Sequence, residues 1–279
     1  MYPAGSELFI ATKHGKEIAF TPDLLNPLGF ILAKSIEIDT DQFGTFSGEV
    51  ARSGSVLDTL RKKCDLAHEL TGHQFIVASE GSFGPHPMFP MIHFFEEYML
   101  FKDYKNGHEI IEKHTGTETN LSQHNFRELN ELEAYLNRIG FPAHAVILSA
   151  VDASGAKHVI KGINEFGWLK EQIERFIKCR TAITVETDMR AHMNPTRMRA
   201  IEACAVKLIA RIGTCCPSCS APGFGVVSSE SGLPCSSCGL PTSSMLHTVY
   251  SCSSCTFTEK RQRTDKLTED PMYCNFCNP

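Results

Sequence analysis

Four Cys-x-x-Cys pairs lie between Cys216 and Cys277: Cys216/Cys219, Cys235/Cys238, Cys252/Cys255 and Cys274/Cys277. Such a turn brings two sulfurs within reach of one ion, and four thiolates at about 2.3 Å close a tetrahedral structural zinc site. Eight cysteines in this pattern therefore predict two structural Zn2+ ions. The 15, 13 and 18 residues between successive pairs suit the hairpins of a zinc ribbon. The segment is short and rich in Ser, Gly and Pro. Metal binding would therefore supply much of its folding free energy, on the order of 10 kcal/mol per site. Spacing leaves the pairing open. Sequential sharing is simplest; joining the middle two pairs as the knuckles of one ribbon is a second arrangement, and cross-bracing a third. Cys215 is a spare thiol. Disulfides or an iron–sulfur cluster are the competing readings.

Of the 12 cysteines, only Cys64, Cys179 and Cys204 lie in the first 214 residues. The start, Met1 to Glu7, has neither a basic segment nor a long apolar stretch, so no secretory signal is expected. There is no run of about 18 apolar residues to suggest a membrane span. A cytoplasmic location, no membrane partner, and metal rather than disulfides follow as expectations. The 279 residues are 42% hydrophobic and 21% charged, as in ordinary globular proteins. They divide at Gly213 into an expected large domain, 1–212, and a zinc-ribbon domain, 213–279. The net charge is −5, and residues 213–279 carry four basic and five acidic side chains. Each four-cysteine site would add about −2 more. Nucleic acid is therefore not the expected partner, and the run Lys260-Arg261-Gln262-Arg263 reads as a solvated strand edge.

The first 212 residues alternate strand-like and helix-like segments, which predicts an α/β fold, a mixed sheet with flanking helices. Strands are expected at Leu8–Ala11, Phe30–Ile38, Gln74–Ala78, Glu96–Asp103, Glu109–Lys113, Ala145–Val151 and Ala182–Val185. Asn106-Gly107 marks a hairpin between the fourth and fifth of these. Helices are expected from Ile18 to Leu25, limited by Pro22, and at Ser55–Leu70, Phe126–Ile139 and Phe166–Lys178. One more begins at Asn194-Pro195 and runs about 17 residues.

Polar loops after the strands are the candidate site. In Thr12-Lys13-His14-Gly15-Lys16, Gly15 would let backbone N–H groups approach a phosphate and Lys16 would supply a point charge. Thr12 completes the loop; no Walker A pattern is present. Asp39 and Asp41 precede Gly44-Thr45-Phe46-Ser47-Gly48-Glu49, and paired carboxylates among oxygen-rich neighbours suit Mg2+. Ser79-Glu80-Gly81-Ser82 offers a carboxylate at a strand end, a Mg2+ ligand or base. Glu186 and Asp188 project to one side of a strand. Arg190 and Arg197 follow as an anion clamp or as members of a buried ion-pair network. His86 and His93 are candidate bases, although the twelve histidines show no metal spacing.

Two resemblances rest on these residues. Over its whole length the chain resembles a bacterial protein family of unknown function. The carrying stretches are Ala11–Glu17, Gly44–Val50, Ala78–Pro87, Val185–Ala191 and the four cysteine pairs. Residues 8–115 are similar to the inosine-triphosphate pyrophosphatase fold, which opens with a strand, a Thr/Ser-Asn-x-x-Lys loop, a helix and a second, acid-bearing strand. A further helix follows, then a third strand that ends in an acidic Gly/Ser loop. Thr12 and Lys16 match the first loop, and Glu80-Gly81 the acidic one. Lys13 or His14 stands where that family has Asn, and its double acid is reduced to Glu80. The resemblance implies a nucleotide substrate.

The expected function is thus a zinc-binding protein with a Mg2+-dependent nucleotide or phosphate-ester hydrolase domain. Lys16, Asp41, Glu80 and Arg190 would be catalytic. Thr12, Gly15, Lys16, Ser79 and Gly81 would line the ligand. The alternative is a non-catalytic adaptor whose zinc tail binds protein or nucleic acid.

Overall fold

In a computed structural model of the protein, the described residues are all except 1, 44–53, 127, 128, 130, 152, 153 and 179–181. The side chains of residues 41, 42, 178 and 182 also lie outside the description. Two compact units emerge. One comprises residues 2–105 and 111–208, the other 106–110 with 209–279. No described helix is long and apolar enough to cross a membrane.

The larger unit is mixed α/β. A five-stranded sheet has the order β2 (Phe30–Leu32), β1 (Ser6–Ala11), β3 (Phe75–Pro85), β4 (His93–Asp103), β5 (His108–Gly116). β1 is parallel to β2 and β3, whereas β3 and β4 form an antiparallel hairpin. The short α1 (Pro22–Leu25) connects β1 to β2. The helix α2 (Val56–Thr71) starts in a capping box, with Ser55 Oγ accepting from the Asp58 amide and the Asp58 carboxylate accepting from the Ser55 amide. It buries Leu60, Cys64 and Ala67 against Phe9, Ala11, Ile76, Ala78 and Leu100. The opposite face of β4 meets α5 (Pro195–Ile212), where Cys204 Sγ donates to the Glu97 carbonyl at 3.4 Å.

The second sheet is antiparallel: β6 (Gln123–Phe126), β9 (Ala182–Thr187), β7 (Val146–Val151), β8 (Lys157–Ile163). The helices α3 (Leu132–Ile139) and α4 (Phe166–Lys178) pack on it through Leu132, Leu136, Leu169 and Ile173.

Four expectations need correcting. The strand expected at Phe30–Ile38 ends at Leu32, although Ala33 and Ile38 are still buried. The helix expected from Phe126 starts only at Leu132. Phe126 reaches the same core from β6, so helical periodicity alone could not separate the two. β8, whose alternation is blurred by Lys157, His158 and Lys161, was not anticipated. Finally, Ser79 to Pro85 is strand, not loop, because β4 pairs with it residue for residue out to His93.

The smaller unit carries the three-stranded antiparallel sheet β10 (Gly225–Ser231), β11 (Met245–Ser251), β12 (Thr258–Gln262).

Candidate functional site

The cysteines gather into two tetrads, Cys216/Cys219 with Cys252/Cys255 and Cys235/Cys238 with Cys274/Cys277. Strand length dictates this interleaving. Seven-residue β10 is about 20 Å long, so the pair before it and the pair after it lie at opposite ends. The register Gly225↔Ser251 sets the first pair beside the third, which follows β11. β12 runs back along β11, and Cys235 bridges to Glu269, so the fourth pair arrives beside the second. Sequential sharing and a ribbon of the middle two pairs are both excluded by this register. The arrangement is the cross-braced one.

Within the tetrads the nearest sulfurs are 3.6 and 3.8 Å apart in one and 3.7 and 3.9 Å in the other. All ligand atoms of a tetrad lie within 4.8 Å of one another. A tetrahedron with edges of this size holds its corners at about the 2.3 Å of a zinc–thiolate bond. The separations far exceed a covalent disulfide, about 2.05 Å. The knuckles repeat one hydrogen bond: the amides of Cys216, Cys235 and Cys252 donate to the carbonyls of Ala221, Leu240 and Phe257. Amides also point at sulfur, Ser218 at Cys216, Ser237 at Cys235 and Ser254 at Cys252. Those of Cys277 and Phe276 lower the Cys274 thiol to about 7. Around the first tetrad Phe224 packs with Tyr250 and Phe257, a core too small to fold alone. The tail's four basic side chains are all engaged by carboxylates. Lys260 meets Glu230 at 2.6 Å, Arg261 meets Glu259 at 2.8 Å, Arg263 meets Asp265 at 2.7 Å, and Lys266 pairs with Glu269.

The larger unit contains a buried charge cluster built from five elements. β1 pairs with β3 only as far as Ala11↔Ala78, so β3 runs on beyond the end of β1. The loop after β1 turns at Gly15, whose φ of 69° suits glycine. It brings Lys16 to Ser79, where the ammonium donates to Oγ at 2.9 Å. Thr12, buried, organises the loop by accepting from the amides of His14 and Lys16 at 3.1 and 3.5 Å. Those amides are therefore engaged within the loop itself.

On the α2 side, Lys63 pairs with Glu80 at 2.9 Å. From α5, Arg197 Nε donates to Glu97 Oε1 at 2.7 Å. Gly81 stands opposite Glu97 on the hairpin. A Cβ there would lie 2.4 Å from Arg197 Nη2 and 2.5 Å from Glu97 Oε1, so glycine is what admits the pair. Lys16, Lys63, Glu80, Glu97 and Arg197 are all buried, Glu97 completely.

The formal count is three cations against two carboxylates. Lys63 and Arg197 each have a carboxylate. Among the described residues Lys16 has none within ion-pair distance; its partner is a neutral hydroxyl. Burial, reinforced by the Arg197 charge, lowers the Lys16 ammonium to about 7. Glu97 opposes this shift and Lys63 adds to it.

Of the other expected residues, Arg190 is bound to Asp188, Nη2 to Oδ2 at 2.6 Å. Burial raises the Asp188 carboxyl, but hydrogen bonds from Arg190 and the Gly162 amide outweigh it and hold it below the usual range. Burial likewise raises Glu186. Asp39 pairs with Lys13 at the surface. The Asp41 side chain and residues 44–49 lie outside the described residues. His86 accepts from the amides of Met88 and Phe89 in the β3–β4 connection, and His93 is exposed. His14 stacks on His192 at 5.0 Å beside Gly15.

Lys63 and Glu97 were not anticipated, yet each leaves a sequence signal. Lys63 falls on the apolar face of α2 beside Leu60, Cys64 and Ala67. Glu97 interrupts the alternating set Phe95, Met99, Phe101.

Residues 63–279 match a family described as a domain of unknown function, DUF6671, and the chain belongs to that family. No curated protein matches it.

Proposed function

We propose that this member of the DUF6671 family binds a phosphate-bearing small molecule, a nucleotide first among them, at the Lys16 cluster and hydrolyses it. The two cysteine tetrads would hold structural zinc. The observation that carries the reading is Lys16 itself, a buried ammonium with no carboxylate of its own. Lys63–Glu80 and Arg197–Glu97 would balance without it. An unbalanced buried cation opposes folding, and an anionic ligand supplies the missing charge. The similarity of Thr12, Lys16 and Glu80 to the inosine-triphosphate pyrophosphatase loops supports the nucleotide class.

In this reading Lys16 and Arg197 neutralise the phosphoryl oxygens as charge develops. Glu80 is already held by Lys63, so a Mg2+ ion here would be held mainly by the substrate phosphates, whose charge it would help to neutralise. For the tetrads, four sulfurs at tetrahedral spacing suit one thiophilic ion each. With zinc bound, its chemistry is structural, since no ligand position is left open.

The test is a thermal-shift screen of zinc-loaded protein against nucleoside mono-, di- and triphosphates with Mg2+, followed by a phosphate-release assay. A ligand at 100 times its dissociation constant adds about 2.7 kcal/mol of stability. The reading expects a shift that Lys16→Met abolishes. A flat screen turns the weight to a non-catalytic adaptor acting through the zinc tail.

A further inference from the structure

The carboxylate of Glu97 is shared unevenly. Oε1 accepts from Arg197 Nε. Oε2 is buried and has no hydrogen-bond donor among the described residues. An ionised carboxylate accepts at about four lone-pair sites, and a buried acceptor left unmet is costly. The orphan oxygen sits in the cluster that contains Lys16 and Arg197, and the Glu97 charge is felt at the Lys16 ammonium. Gly81 keeps the opposite strand position clear, so that Arg197 rather than a side chain of β3 lies against Oε1. Arg197 already gives Nε to Glu97 and Nη1 to the Met189 carbonyl, so the cluster offers the Lys16 ammonium and the remaining Arg197 hydrogens as donors and Glu97 Oε2 as a strong, unfilled acceptor.

These are different demands on a ligand. Lys16 and Arg197 only donate, so they require oxygens with free lone pairs. Glu97 Oε2 only accepts, so it requires a proton on the ligand. An oxyanion with no proton would set its oxygen against the carboxylate, lone pair to lone pair. An oxyanion that keeps a P–OH group satisfies both sides at once. Inorganic phosphate retains a proton at neutral pH, and sulfate retains none.

We infer that Glu97 makes the Lys16 site selective for a protonated oxyanion, inorganic phosphate or the monoanion of a phosphate monoester, over a fully ionised one such as sulfate. This rests on the phosphate-site reading given above and assigns Glu97 as its specificity residue. Binding alone is involved, and no bond is made or broken.

The experiment is calorimetric titration of full-length, zinc-loaded protein with inorganic phosphate and, separately, with sulfate, at pH 7 and matched ionic strength. Phosphate should bind roughly 100-fold more tightly than sulfate, the scale of discrimination when a buried acceptor is left unpaired. Glu97→Gln replaces the lone acceptor with a group that also donates, and should bring the two affinities within about tenfold of each other. Equal affinities in the wild-type protein would overturn the inference and leave the phosphate site standing. No heat from either anion would overturn the phosphate-site reading and the inference with it. Should the variant fail to fold, the wild-type ratio decides.

Discussion

A lysine ammonium taken out of water without a carboxylate partner works against the fold, and Lys16 holds that position at 8% exposure. Its folded value of about 7 lies below the unfolded one, about 10.4. Between these values the unfolded chain binds more protons, so stability rises with pH there. The penalty is therefore full below about pH 7 and gone above about pH 10.4. Lys16→Met removes it. Urea denaturation at pH 6 should show the variant more stable than wild type by about 1–4 kcal/mol, with the gap closing toward pH 10. A variant less stable at pH 6 would mean that Lys16 is structural. Gly81→Ala is the opposite case. Its Cβ would displace Arg197 from Glu97, and breaking a buried pair costs about 3–5 kcal/mol. A denaturation midpoint equal to wild type would contradict this. The Thr12–Lys16 loop stood out in sequence because it sets a Gly and a Lys directly after a strand, and the structure buries that Lys against Ser79. Ser79 and Arg197 were named as candidates, but Lys63 and Glu97 were not, because they reach the cluster only through helix placement and strand register.

Among the elements, the cysteine pairs announce themselves by spacing, yet their partnership depends on strands that carry little pattern. β10 reads Gly225-Val226-Val227-Ser228-Ser229-Glu230-Ser231, and β12 is almost wholly polar. Only their lengths and register with β11 decide that the first pair meets the third. Paired substitutions test this. Cys219→Ser with Cys255→Ser removes ligands from one tetrad, and zinc content should fall from two ions per chain to one. Cys219→Ser with Cys238→Ser disables both tetrads, and the content should fall to none. The reverse pattern would refute the cross-brace. A related lesson applies to β3. Ser79-Glu80-Gly81-Ser82 reads as loop by composition, but full pairing with β4 makes it strand. The glycine there serves the close approach of Arg197, not a turn. β6 was lost for a similar reason, since Phe126 points into the core that α3 also fills.

For the whole molecule, alternating segments and a terminal crowd of cysteines were enough to give the α/β class and a C-terminal cysteine cluster. The buried charge cluster was only half visible, because it is assembled from the β1 loop, α2, β3, β4 and α5. Hydropathy and spacing report on neighbours in sequence, whereas this cluster joins residues up to 181 positions apart, Lys16 to Arg197. Function in such a molecule is best sought in the group its fold tolerates at a cost. The most direct test is an NMR titration of the Lys16 ε-ammonium, with and without inorganic phosphate. The account predicts a midpoint of about 7 in the free protein, moving upward when phosphate is added. An ordinary lysine midpoint, about 10.4, unmoved by phosphate, would contradict it.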